Sequence, residues 1–88
     1  MKEQVIQVRD RALAACQEAD SVRELEDVRV RFLGKKGELT QILRGMGQLS
    51  PEERPVMGKL VNEVREEVER ALAERGEILA EAELNRRL

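Results

Sequence analysis

Two adjacent lysines lie between two glycines in the segment Gly34-Lys35-Lys36-Gly37, where this sequence is best suited to bind a ligand. Glycine is conformationally permissive and disfavours an unbroken helix, so a loop is expected here. Lysines on such a loop can meet phosphate groups as mobile point charges, and nearby arginines can bind the same groups in bidentate fashion. Seven cations in and around this segment are candidate contacts for a polyanion: Arg29, Arg31, Lys35, Lys36, Arg44, Arg54 and Lys59.

The charges of the chain are unevenly distributed. The formal net charge is −2, yet the segment from Arg29 to Lys59 holds seven cations against three acidic residues, Glu38, Glu52 and Glu53. A basic middle between acidic flanks favours a localised polyanion site over general adhesion to nucleic acid. An ordinary solvated helix surface is the alternative, because helices of this composition are always rich in charge.

The scarcity of aromatic residues limits how an RNA could be recognised. Phe32 is the only aromatic residue in the chain. Modules that recognise single-stranded RNA usually stack its bases on aromatic side chains. We therefore expect contact with the backbone of a folded RNA, recognised by its shape. For any single cation the alternative is a solvated pair, such as Arg29 with Glu26.

No set of catalytic or metal-binding residues is visible in the sequence. It contains no histidine and a single cysteine, Cys16, and it has neither a G-x-x-x-x-G-K-[ST] phosphate loop nor a dinucleotide fingerprint. We expect no catalytic residue, metal or cofactor here, and a buried Cys16 in a reducing compartment. Without a signal peptide or an apolar run of about 20 residues, the protein should be soluble, cytoplasmic and free of membrane contact.

The composition predicts an all-α protein. Charged residues make up 39% of the chain, as is typical of long or coiled helices. A first helix is indicated by apolar residues at steps of three and four: Val5, Val8, Ala12, Ala15, Ala19 and Val22. Ser21 with Glu24 forms a capping box, which predicts a short second helix through Leu25, Val28 and Phe32.

Glycines and prolines predict a turn in the middle of the chain, near 45–50. A third helix of about ten residues is indicated by Leu39, Ile42, Leu43 and Met46, with Gly45 and Gly47 at its end. Ser50 with Glu53 forms another capping box ahead of a last helix. This helix starts at Pro51 or restarts at Pro55, and the sequence does not separate the two starts.

The last helix carries an apolar seam with a heptad rhythm. Its members are Met57, Val61, Val64, Val68, Ala71, Ile78 and Ala82, with Arg75 as the only interruption. Thirty or more helical residues give roughly 45–55 Å, too long for a compact ball of this chain length. The predicted fold is an elongated antiparallel helical hairpin, a coiled-coil arm of two to four helices with one long C-terminal helix. Its opposing leg consists of the first three helices.

The segment 31–40, with the residues RFLGKKGELT, resembles the N-terminal region of the bacterial phenylalanyl-tRNA synthetase alpha subunit. The resemblance continues through Pro51-Glu52-Glu53-Arg54 and through Gly58 with Asn62, and it spans essentially the whole chain. It implies a coiled-coil arm that projects from the enzyme and helps to hold the tRNA. Residues 1–88 would then be a single N-terminal helical arm, a fragment of a larger subunit without its catalytic domain.

Further expectations follow from this resemblance alone. Lys35 and Lys36, with Arg31, Arg44 and Arg54 nearby, become candidate tRNA-backbone contacts. Shape-setting roles fall to Gly34, Gly37, Gly58 and Asn62, whereas Gly76 has no role that the sequence explains. The parent enzyme would be an α2β2 tetramer that uses ATP and magnesium to join phenylalanine to tRNA(Phe). The partners of this chain would be that tRNA, the rest of the alpha subunit and the beta subunit.

Two other interpretations stay open at this point. The first is the helical arm of another class II synthetase, such as the seryl enzyme, in which the L-G-K-K-G-x-L-T segment is not expected. The second is a protein-only coiled-coil adaptor or dimerisation module, which would show the same heptads but gives no reason for the basic centre. Self-association that tolerates salt would favour the adaptor, because phosphate contacts are lost as salt rises.

Overall fold

The computed structural model describes residues 1–87, and the side chains of residues 1–86, as four α-helices joined by short turns. The helices are α1 (Lys2–Glu18), α2 (Val22–Leu33), α3 (Glu38–Gly45) and α4 (Glu53–Arg87), with a 3₁₀ turn at Met46–Gln48. The described residues contain no strand and extend over 56 × 19 × 15 Å. The predicted all-α, elongated fold with one long C-terminal helix is therefore confirmed.

Helix α1 lies beside α4 and runs in the same direction. Near its start, Lys2 lines a surface groove together with Glu63 of α4. Just past its end, the carbonyl oxygen of Ala19 accepts hydrogen bonds from Arg75, much farther along α4. The first helix therefore packs alongside the last helix in a parallel orientation.

Helix α2 runs back along α4 in the opposite direction. The chain reverses at 20–21, after which Leu25 lies beside Gly76, and at the far end of α2 Leu33 shares a groove with Arg65. Helix α3 continues this leg up to the turn. The opposing leg thus consists of α2 and α3 alone, and the expectation that all three short helices make it up is wrong.

The reversal before α2 has a local cause in the capping residues. Ala19 leaves α1 in an extended conformation, with φ −65° and ψ 127°. The Ser21 hydroxyl then accepts a 3.0 Å hydrogen bond from the Glu24 N–H, and the Glu24 carboxylate accepts one of 2.7 Å from the Asp20 N–H. These bonds satisfy donors that the first turn of a helix leaves free, so α2 starts afresh rather than continuing α1.

A second capping box starts α4. The Glu53 N–H donates to the Ser50 hydroxyl at 3.3 Å, while the Glu53 carboxylate accepts from both the N–H and the hydroxyl of Ser50, at 3.3 and 2.9 Å. Helical bonding runs on past Pro55 without a restart, so α4 begins at Glu53. A proline so close to the helix start removes few backbone hydrogen bonds, which explains why the helix passes through it.

The core is a narrow seam that follows α4. Its buried members on α4 are Met57, Val61, Val64, Val68, Leu72 and Leu79, and the short helices contribute Val5, Val8, Ala12, Cys16, Leu25, Phe32 and Leu39. Two series on α4, Met57–Val68–Leu79 and Val61–Leu72, are spaced by eleven residues. An eleven-residue repeat gives 3.67 residues per turn, close to the 3.6 of an undistorted helix.

The predicted heptad holds through Ala71, which packs against the core, and fails beyond it for this reason. An undistorted helix drifts by about 20° per heptad, so residues at strict seven-residue spacing rotate out of the seam. Ile78 is 58% exposed and Ala82 is also exposed, whereas Leu72 and Leu79 are buried. The buried set of the far half of α4 is thus shifted by one residue from the prediction.

The two glycines inside α4 face neighbouring side chains. A Cβ atom on Gly58 would lie 3.4 Å from the Met46 Cε, and one on Gly76 would lie 3.5 Å from the Leu25 Cδ2. Both distances are close to ordinary van der Waals contact, so a methyl group at either glycine would just touch the neighbouring side chain.

Among the described residues, no helix is long and apolar enough to cross a membrane.

Candidate nucleic-acid interface

The lysine loop, residues 34–37, is a tight turn between α2 and α3. The carbonyl oxygen of Gly34 accepts two hydrogen bonds, one of 2.9 Å from the Gly37 N–H and one of 2.7 Å from the Thr40 hydroxyl. The Gly34 N–H in turn donates to the Val30 carbonyl at 3.1 Å. This bonding fixes the backbone of the loop.

The two glycines of the loop are required by space rather than by an unusual backbone conformation. Their φ angles, −66° for Gly34 and −67° for Gly37, are open to every residue type. A Cβ atom on Gly34 would lie 2.5 Å from the Val30 carbonyl oxygen, and one on Gly37 would lie 2.6 Å from the Phe32 carbonyl carbon. A side chain at either position would therefore push on backbone, which cannot move aside cheaply.

Three of the candidate cations project into solvent. Lys35, Lys36 and Arg44 are exposed, and within the described part of the chain none of them has an ion pair or a side-chain hydrogen bond. Their charges are thus available to an incoming anion. Arg65 of α4 also belongs to this surface, because it lines one groove together with Lys35.

Arg31 is held in place by its neighbours. Its Nε lies 3.4 Å from one oxygen of Glu38, and its guanidinium carbon lies 4.9 Å from the centre of the Phe32 ring. The other oxygen of Glu38 lies 2.6 Å from an Nη2 of Arg11 on α1. One carboxylate therefore orders two arginines, and each guanidinium keeps further N–H groups for another acceptor.

Arg54 is bonded to the turn between α3 and α4. Its Nε donates to the Leu49 carbonyl at 3.2 Å, and its Nη2 donates to the Gly47 carbonyl at 3.0 Å. The side chain is exposed, but these two bonds give it a structural role that the sequence did not reveal. Asn62, expected to set the shape of the arm, lies on the exposed face of α4.

Charge is segregated along the rod. The cations of the loop and of α3 lie in the half that contains the turn, whereas α4 between Glu66 and Glu83 carries seven glutamates against Arg70 and Arg75. An extended anion would be attracted to one half of the molecule and repelled by the other. This arrangement supports a single, localised site for a polyanion.

The groove that contains Lys35 is small for a metabolite-binding pocket. The groove lined by Lys35, Thr40, Leu43 and Arg65 encloses only about 210 Å³ and is open to solvent. Ligand pockets usually enclose 300–1,000 Å³ or so and surround most of the ligand. A long polymer lying across the surface fits this groove better than a metabolite.

Groups for covalent or metal chemistry are not assembled in the described part of the chain. No three potential metal ligands come together there. Cys16 is fully buried, and burial raises the pKa of its thiol, although the charge of Arg29 opposes this shift. A thiol with a raised pKa is a poor nucleophile, so Cys16 is a packing residue, as the sequence predicted. The surface can bind and position an anion.

Neither Arg11 nor Arg65 was selected from the sequence as a candidate contact. Arg11 lies on the first helix and Arg65 follows the basic segment, so the local charge pattern includes neither. Only the packing of α3 between α1 and α4 brings them to the two sides of the loop. No signal in the sequence alone would have found them.

Comparisons with known proteins connect this chain to tRNA synthetases. The family described as aminoacyl tRNA synthetase class II, N-terminal domain, matches residues 20–88. The phenylalanine–tRNA ligase alpha subunit of Natranaerobius thermophilus is 55% identical over 87 residues, which are 99% of this chain and 26% of that protein. The same subunits of Moorella thermoacetica and Clostridium acetobutylicum are 54% and 50% identical over 88 residues, 100% of this chain and 26% of each protein. The chain thus spans about a quarter of the length of these relatives.

Proposed function

Because this chain belongs to the family of class II aminoacyl-tRNA synthetase N-terminal domains, we propose that it is the tRNA-binding arm of a phenylalanine–tRNA ligase alpha subunit. The resemblance noted at residues 31–40 is confirmed by the relatives, which are all alpha subunits of this ligase. The arm would contact the sugar-phosphate backbone of tRNA(Phe), while the rest of the enzyme joins phenylalanine to this tRNA.

One observation carries this proposal. Lys35 and Lys36 are exposed and have no ion pair within the described residues, on a turn whose backbone is fixed by the Gly34 carbonyl, with Arg44 and Arg65 on the adjoining surface. Fixed backbone and free cations are what shape-directed contact with phosphates requires. The single aromatic residue, Phe32, is buried, which fits backbone contact rather than base stacking.

The partners and cofactors of the parent enzyme belong to the same proposal. The beta subunit and the remainder of the alpha subunit would complete an α2β2 enzyme that uses ATP and magnesium. The residues described here do not fit either of those ligands, because no phosphate loop and no cluster of metal ligands occurs among them. ATP and magnesium would therefore be bound by other parts of the enzyme, in the cytoplasm.

A salt-dependent titration with tRNA(Phe) tests the proposal. We expect a dissociation constant of roughly 10⁻⁴–10⁻⁶ M at physiological salt, since a handful of phosphate contacts gives non-specific affinity. Changing Lys35→Ala and Lys36→Ala together should weaken binding and lower the salt slope by about 0.7–0.9 for each lost contact. The matched control is Arg70→Ala with Arg86→Ala, which removes the same charge from the acidic half.

A protein-only coiled-coil module is the second candidate. In its favour, Ile78 and Leu84 are 58% and 60% exposed, so the far half of α4 leaves apolar surface uncovered. Solution mass distinguishes the two functions. A dimer that persists at high salt and does not bind tRNA(Phe) would favour the coiled-coil adaptor over the tRNA-binding arm. A monomer that binds tRNA(Phe) would exclude the adaptor.

A further inference from the structure

A second groove lies on the other side of α3, between that helix and α1. Its polar wall consists of Gln4, Gln7 and Arg11 from α1 and of Glu38 and Gln41 from α3. Helix α3 is therefore a ridge with a groove on each side. One groove contains Lys35 of the lysine loop, and the other, called the α1–α3 groove below, contains the glutamines.

The composition of the α1–α3 groove differs from the rest of the surface. Charged residues make up 39% of the chain, but the only charged residues that line this groove are Arg11 and Glu38, which form an ion pair at 2.6 Å. Three of the five glutamines of the chain, Gln4, Gln7 and Gln41, are exposed along its wall. Each amide offers donors and acceptors together, which a lysine or a glutamate cannot do.

The groove is continuous with the lysine loop. Glu38 is the first residue of α3, and its two oxygens bond Arg11 on the groove side and Arg31 on the loop side. On the outer face of the ridge, Gln41 and Arg44 are both exposed. A polymer whose phosphates lie on the loop can therefore cross the ridge and reach the amides without leaving the surface.

We propose that the α1–α3 groove binds ribose 2′-hydroxyl groups of the same RNA whose phosphates contact the lysine loop. The inference rests on the proposed function. Phosphate oxygens only accept hydrogen bonds, whereas a 2′-hydroxyl both donates and accepts, as the amides of Gln4, Gln7 and Gln41 do. The 2′-hydroxyl is present in RNA and absent from DNA, so the lysine loop and the α1–α3 groove have different roles. The loop supplies attraction that depends on salt, and the groove supplies preference for RNA.

The test uses the unmodified tRNA(Phe) transcript and a DNA oligonucleotide of the same sequence. Changing Gln4, Gln7 and Gln41 together to alanine should weaken binding of the RNA about tenfold, through the loss of several net hydrogen bonds. Binding of the DNA and the salt slope for the RNA should stay unchanged, because no charge is removed. The variant with Lys35→Ala and Lys36→Ala should lower the salt slope for both nucleic acids.

The matched control is Gln17→Ala with Gln48→Ala, which changes the two glutamines outside the groove, and circular dichroism verifies the helix content of every variant. Unchanged RNA affinity in the triple variant would overturn the groove proposal while the lysine variant still supports the proposed function. Equal losses for RNA and DNA would overturn it too, since the groove would then act without the 2′-hydroxyl. If the unaltered chain shows no salt-dependent binding of RNA, the proposed function is overturned, and the groove proposal that rests on it is overturned as well.

Discussion

The guanidinium of Arg75 donates two hydrogen bonds, of 3.3 and 3.0 Å, to the carbonyl oxygen of Ala19. This carbonyl lies just past the last turn of α1, where backbone acceptors have no partner within the helix. The contact joins residues 56 positions apart in sequence. It ties the corner between α1 and α2 to the middle of α4.

Removing the Arg75 guanidinium should therefore loosen the corner. We expect Arg75→Met, which keeps an unbranched apolar stem, to lower the free energy of unfolding by about 1.5 kcal/mol, because the hydrogen-bond donor is charged. Urea unfolding followed by circular dichroism measures the change. Arg70→Met, at an exposed position on the same helix, is the control and should have little effect. Equal stability of the two variants would mean that water replaces the arginine at the Ala19 carbonyl.

Alanine at either glycine of the lysine loop should destabilise the fold. A Cβ atom would lie 2.5 Å from the Val30 carbonyl oxygen in Gly34→Ala and 2.6 Å from the Phe32 carbonyl carbon in Gly37→Ala. We expect each substitution to cost about 1–3 kcal/mol in urea unfolding, since backbone must shift. Gly45→Ala is the control, because nothing lies within 4 Å of its Cβ position. It should be neutral or stabilising by up to about 1 kcal/mol in the helix.

Two arginines that look alike in the sequence should behave differently. Arg54 donates to the Gly47 and Leu49 carbonyls, so Arg54→Ala should lower stability by about 1 kcal/mol. Arg44→Ala should leave stability unchanged and lower the salt slope of tRNA(Phe) binding by about 0.7–0.9. Thermal melting and a salt titration of both variants check the pair. A salt slope that falls only in the Arg54 variant would reverse the assignment.

The start of α4 should respond to acid through Glu53. Hydrogen bonds from the Ser50 hydroxyl, and then from the Ser50 N–H, hold the pKa of the Glu53 carboxyl below its usual range. Because this pKa is lowered by folding, the carboxylate stabilises the fold above its unfolded pKa. The stabilisation is lost as the pH falls through the lowered value. The stability difference between the unaltered chain and Glu53→Gln should therefore shrink on acidification.

A titration of the Glu53 side-chain carboxyl carbon by nuclear magnetic resonance measures the same effect directly. The Ser50→Ala variant should return the pKa of Glu53 towards its ordinary value, because the hydroxyl hydrogen bond is the larger cause of the shift. An unchanged pKa in Ser50→Ala would show that the Ser50 hydroxyl does not donate a hydrogen bond to the Glu53 carboxylate in solution.

The features predicted from sequence are those decided within a few residues. Ser21 and Ser50 each cap a helix whose start depends on a glutamate three positions later, and both boxes form. The break at residues 34–37 and the turn near 45–50 were likewise visible, because glycine and proline act locally. Helix count and elongated shape followed from these boundaries and from the length of the last apolar pattern.

The features missed are those decided by packing. No local signal indicates that α1 folds beside α4 rather than extending the opposing leg, or that Arg11 reaches Glu38 of α3. In the sequence Arg75 interrupts the apolar seam. In the folded chain it donates hydrogen bonds to the Ala19 carbonyl, which only folding brings close to it. The shift of the seam from Ile78 to Leu79 depends on the winding of the helix, which a pattern of apolar letters does not specify.

The eleven-residue spacing of Met57, Val68 and Leu79 has a mechanical consequence. Legs that follow a heptad wind around each other to the left, so a pull along their axis also twists them. An eleven-residue repeat stays near the natural pitch of the helix and needs only a slight winding of the opposite hand. We therefore expect a pull along the 56 Å length of this hairpin to twist its legs very little, so that the lysine loop would keep its orientation.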